Sequence, residues 1–103
     1  MEITDEILSP IHPGEVLLVD FMKPLGLSPH RLANELGVTP VHIRKLVNGQ
    51  LAITADTAMR LARYFGTSAA DWLQMQIRYD LDIAVQALKE RITRDVMALP
   101  QQR

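Results

Sequence analysis

The 103-residue sequence predicts an all-α fold: five helices in one domain, the last drawn out into an extended C-terminal helix. Three observations predict it. Apolar residues recur at three- and four-residue spacing rather than in alternation. Ser or Thr stands just before most of these runs, twice with Pro following, which is how helices start. Gly or Pro closes them, so both residues fall as punctuation between periodic segments.

The first helix is expected over Glu15 to Lys23, where Val16, Leu17, Val19, Phe21 and Met22 follow a His-Pro-Gly entry and Pro24 stops the run. Ser28 and Pro29 open the second, whose stripe of Leu32, Ala33 and Leu36 ends at Gly37. Thr39 and Pro40 open the third, with Ile43, Leu46 and Val47 before Asn48-Gly49. Thr54 caps a fourth helix carrying Ala55, Ala58, Met59, Ala62 and Phe65, with Arg60 and Arg63 on its outer side and Gly66 at its end. Ser68 caps a fifth carrying Trp72, Leu73 and Ile77. No Gly or Pro intervenes between Tyr79 and Pro100, and Leu81, Val85, Leu88, Ile92, Val96 and Leu99 form a heptad-like seam. With a core already supplied by five helices, that seam is expected to pack on a second copy or a partner. The organisation read from these signals is an N-terminal extension (1–12), a DNA-binding domain (13–80) and a C-terminal amphipathic helix and tail (81–103).

A net charge of −1 conceals a polarity along the chain. Glu2, Asp5, Glu6, Glu15 and Asp20 give residues 1–22 a charge of −5, and Lys23, Arg31, Arg44, Lys45, Arg60 and Arg63 against Glu35 and Asp56 give residues 23–63 a charge of +4. Residues 64–103 balance. The central block is suited to a polyanion, and the acidic N-terminal stretch to a basic protein partner. The longest aliphatic run, Val16 to Val19, is far short of the ~20 residues a membrane span needs. Acids stand where a secretory peptide has bases, and cysteine is absent, so a cytoplasmic location is expected.

The strongest constellation is Leu32 to Gly49, two capped helices joined by a Gly turn: a helix-turn-helix. Ala33 is small where the helices approach, Gly37 suits the backbone at the turn, and Val38, Ile43 and Leu46 anchor the second helix to the core. The opposite side then presents Pro40, Val41, His42, Arg44 and Lys45, near the start of a helix that enters the major groove, as candidates for base readout. Arg44 and Lys45 suit guanine O6 and N7, Val41 a thymine methyl, and His42 a base acceptor or phosphate. Ser28, His30, Arg31, Thr39 and Asn48 are the candidate phosphate contacts. A dimer would place two such helices about 34 Å apart on a palindromic double-stranded DNA operator.

This segment resembles the helix-turn-helix of phage repressors and Cro. A narrower resemblance covers about Ile11 to Ala84. His12-Pro13-Gly14-Glu15, Pro24-Leu25-Gly26-Leu27-Ser28, Leu46-Val47-Asn48-Gly49, Phe65-Gly66-Thr67-Ser68, Trp72-Leu73-Gln74-Met75-Gln76 and Tyr79-Asp80-Leu81 are together similar to the HigA family of antitoxins. The resemblance implies a phage-repressor-like fold and a homodimeric repressor that binds its own promoter. It also implies neutralisation of a HigB toxin, a RelE-type ribonuclease that cleaves messenger RNA on ribosomes. After Tyr79-Asp80-Leu81 the family commonly has Trp, where this chain has Asp82. The tail from Val85 to Arg103 runs past the matched part.

Other classes find little support. His12, His30 and His42 are scattered, no Gly-rich phosphate loop follows a strand, and no nucleophile has a motif around it, so neither catalysis, a metal nor a cofactor is expected. Trp72, Met75 and Tyr79 share one helix face, which is core packing before it is a ligand pocket. The alternative within the same class is a stand-alone dimeric repressor without a toxin.

Overall fold

The computed structural model describes residues 9–100, so most of the expected N-terminal extension, with Glu2, Asp5 and Glu6, lies outside the described residues, as does the chain's last residue, Arg103. Five helices follow one another, with no strand among the described residues. Helix α1 covers 13–25, built from Pro13–Val16, a π-helical stretch Leu17–Met22 and a last turn Lys23–Leu25. Next come α2 (Pro29–Leu36), α3 (Pro40–Val47), α4 (Ala55–Phe65) and α5 (Ala69–Asp95). No helix among the described residues is long and apolar enough to cross a membrane.

Helix α1 departs from its expected bounds at both ends. It starts at Pro13 because His12 is its N-cap: the imidazole Nδ1 accepts the Gly14 amide proton at 2.8 Å, with Pro13 in the first position. It also runs through Pro24. In an α-helix the proline ring strikes the carbonyl four residues back. Here the hydrogen bonds reach one residue further, as in Lys23 N–H to Leu18 O, and the wider turn makes room for the ring. Gly26, at φ 64°, ends the helix, and the Leu27 amide returns to Met22 O at 2.9 Å.

The core lies where α1 rests on α3 and α5, α2 on α3 and α4, and α4 on α5. Leu17, Met22, Leu32, Ile43, Leu46 and Leu61 are all fully buried. Each such side chain contributes about 1.5–3 kcal/mol relative to exposure. Trp72 closes the core, its ring 5.3 Å from Phe21 and its Nε1–H donating to Thr67 Oγ1 at 2.8 Å.

Two expected faces are rotated. On α4, Thr57, Ala58 and Leu61 point inward, whereas Met59 is 65% exposed. On α5, Ile77 is 63% exposed and its neighbour Gln76 is buried. Gln76 Oε1 accepts the Ile53 amide at 2.8 Å and its Nε2 donates to Asp80 at 2.9 Å. The loop before α4 leaves a buried N–H that only a polar side chain can satisfy, and that need overrides the apolar period.

The C-terminal extension is the same helix as the fifth element. Its 27 residues span about 40 Å at 1.5 Å per residue, which explains a molecule 56 Å in its longest dimension. Leu81, Leu88 and Ile92 are exposed along it, with Val85 half-buried. The expected seam runs past the helix end, since Val96 is the C-cap in extended backbone and Leu99 lies beyond it.

Candidate nucleic-acid interface

The helix-turn-helix is assembled from local signals. Ser28 Oγ accepts the Arg31 amide at 3.0 Å and Thr39 Oγ1 accepts the His42 amide at 3.1 Å, so each hydroxyl satisfies an orphan donor at a helix start. Between them Gly37 adopts φ 74°, and the Val38 amide reaches Ala33 O at 3.0 Å. Arg60 supports that turn from α4. Its Nη1 donates to Leu36 O at 2.9 Å, and its Nε donates to Asp56 at 2.6 Å. Hydrogen bond and charge from Arg60 hold the Asp56 carboxyl below its ordinary pKa, and Asp56 raises that of Arg60 in return. A Cβ on Gly37 would stand 3.1 Å from the same guanidinium.

Ile43 and Leu46 fix one side of α3 in the core. The other side presents Val41, 51% exposed, with Arg44 and Lys45 also exposed and Pro40 partly so. His42 is half-buried and turned toward α4, its Nε2 3.4 Å from Thr57 Oγ1. His30 and Arg31 are exposed on the first turn of α2, and Asn48 is the exposed C-cap of α3. The proposed contacts thus occupy the starts of α2 and α3 and the end of α3.

Charge on this surface is sorted. Both acids of the basic block are occupied by arginines off α3: Glu35 by Arg31 at 3.7 Å and Asp56 by Arg60. Arg44 and Lys45 make no salt bridge among the described residues, so their charge is available to phosphate or base. A concavity of about 540 Å³, lined by Glu35, Leu36, Asp56, Met59, Arg60, Arg63 and Tyr64, contains none of the expected contact residues. The candidate site is therefore the exposed face of a helix, which suits a groove. No cluster of three or more His, Asp or Glu able to hold a metal occurs among the described residues.

Three supports escaped sequence reasoning. One is Arg60, read only as an outer charge. Another is His12, buried against the loop after α3, with a backbone hydrogen bond to Leu51 and its ring 4.9 Å from that of Tyr79. The third is Gly14, buried where α1 meets the end of α3. Only the His-Pro-Gly entry hinted at the last two. Asp82, where the resemblance leads one to expect Trp, pairs with Arg78 at 3.2 Å.

Comparison with known proteins follows the same lines. A family model described as helix-turn-helix matches residues 18–72. Virulence-associated protein I of Dichelobacter nodosus is 55% identical over 76 residues, covering 74% of this chain and 70% of that protein. Antitoxin HigA-1 of Vibrio cholerae is 36% identical over 72 residues, covering 70% of this chain and 68% of that protein. The solved structure of Pseudomonas aeruginosa antitoxin HigA with the higBA promoter superposes with a TM-score of 0.86 at 39% identity, covering 89% of this chain and 100% of that one.

Proposed function

The chain belongs to the helix-turn-helix family, in its HigA antitoxin branch, and on that premise we propose that it is the DNA-binding antitoxin of a HigBA-type pair. In this reading it represses its own operon as a homodimer on a palindromic operator and neutralises a RelE-like ribonuclease toxin. The observation that carries the reading is the α3 surface: Val41, Arg44 and Lys45 exposed, the nearby acids already paired, and a relative of the same fold solved with promoter DNA. Base readout falls to Pro40, Val41, His42, Arg44 and Lys45. Phosphate contact falls to Ser28, His30, Arg31, Thr39 and Asn48, which set the register without reading sequence. The apolar side chains of α5, exposed Leu81, Leu88 and Ile92 and half-buried Val85, with Val96 just past its end, form the seam for a second copy or the toxin. Residues 13–80 act as the DNA-binding unit and 81–103 as the assembly element.

The test is co-purification with the product of the adjacent gene, followed by binding of the complex to the DNA upstream of both. A stable complex that shifts this DNA supports the pair. Specific DNA binding with no small ribonuclease encoded alongside would leave a stand-alone repressor.

A further inference from the structure

One buried polar group lies just beneath the α3 surface. Thr57, on the first turn of α4, is 2% exposed in a core otherwise built mainly from aliphatic side chains. A hydroxyl there costs free energy unless it is hydrogen-bonded, and Val, of the same shape, would fill the space without that cost.

Its partners form a short chain. The Thr57 amide donates to Thr54 Oγ1 at 3.3 Å, the Thr54 hydroxyl donates to Thr57 Oγ1 at 3.4 Å, and Thr57 Oγ1 lies 3.4 Å from His42 Nε2. With the Thr54 proton directed at Thr57, the Thr57 proton has one acceptor left among the described contacts, the His42 nitrogen. An imidazole nitrogen that accepts a hydrogen bond carries no proton, so the neutral ring holds its proton on Nδ1. These contacts, at 3.3–3.4 Å, are at the long end of hydrogen-bond range.

We infer that Thr57 is a positioning residue that fixes His42 as the Nδ1–H tautomer, so that the ring meets DNA as a donor. It then selects a base edge carrying an acceptor, such as guanine N7 or thymine O4, over the amino group of cytosine. The opposite tautomer would offer an acceptor and reverse that preference. The inference rests on the reading of α3 as the recognition helix.

Two measurements on the full chain test it. Long-range proton–nitrogen NMR of the imidazoles at about pH 8, with His42 assigned by its loss in His42→Ala, reads the tautomer without DNA. The expected result is Nδ1–H in the parent, the Nε2–H form favoured by free imidazole in Thr57→Val, and return of Nδ1–H in Thr57→Ser. Selection from randomised duplex DNA reads the consequence: Thr57→Val loses about five- to tenfold of the base discrimination at one position of each half-site, and Thr57→Ser restores it. An Nε2–H ring in the parent, or unchanged discrimination in Thr57→Val, overturns the inference. Unchanged base preference in His42→Ala instead overturns the readout by His42, a failure told apart because the tautomer result stands independently of DNA.

Discussion

Gly14 and Leu46 meet backbone to backbone: a Cβ on Gly14 would run into the Leu46 carbonyl, with the carbonyl carbon 2.7 Å and Val47 Cα 3.0 Å away. The start of the first helix therefore seats directly on the end of α3. Gly14→Ala must push the two apart or unfold the entry, at a cost of about 1–3 kcal/mol. For a domain of this size that lowers the melting temperature by several degrees or more. A melting curve matching the parent would show that the contact yields easily.

Replacing Arg44 and Lys45 together with Ala is expected to abolish specific operator binding while leaving fold and assembly intact, since both are exposed and free of salt bridges among the described residues. Residual non-specific binding, carried by the phosphate contacts, should keep most of its salt dependence. Gel shifts at fixed salt, with circular dichroism as the control for folding, decide it. Retained specific binding would remove α3 as the reader.

Stability should depend on pH through His12. Burial lowers its pKa from the usual 6.5, against the opposing pull of the Leu51 hydrogen bond and the Asp80 charge. The fold therefore holds neutral His12 better than the unfolded chain does. The stability this contributes is full above pH 6.5 and is lost as the pH falls below 6.5 toward the lowered folded value. Protonation of Nδ1 also removes the acceptor for the Gly14 amide. Denaturant midpoints should drop between about pH 8 and 5, and His12→Asn, which keeps a cap acceptor but does not titrate, should flatten that dependence. Parallel curves would place the titration elsewhere.

Truncation after Ala84 removes Val85, Leu88 and Ile92 from α5 but none of the buried core, which ends at Gln76. The shortened chain should fold, with weaker self-association or lost toxin binding. Light scattering and partner titration check this, and an unchanged mass together with unchanged partner affinity would leave the extension without a role in assembly.

The helix-turn-helix was legible because its signals are local. Ser28, Thr39 and Gly37 each act within five residues of themselves, so caps, turn and stripe can be read in order. What was not legible depends on partners far along the chain. Arg60 holds a carbonyl 24 residues away and Gln76 an amide 23 residues away, and neither spacing leaves a periodic trace. The same tertiary demand put Gln76 inside and Ile77 outside. Pro24 was misread as a stop because the rule assumes α-helical hydrogen bonds, and a π-helical stretch precedes it. The candidate contact residues on α3 follow from exposure, whereas the turn of His42 toward Thr57 needed the placement of α4.

The unbroken run from Ala69 to Asp95 makes angular phase a property of assembly. Trp72 is locked in the core and Ile92 lies on the exposed seam of one rigid rod, with no joint between them to absorb error. In the proposed dimer, one extra residue after Ile83 would turn each reading head by about 100° relative to the pairing face, while a seven-residue insertion nearly restores the original phase. In that dimer the spacing of the two half-sites would be written in the length of this rod as much as in the residues that touch DNA.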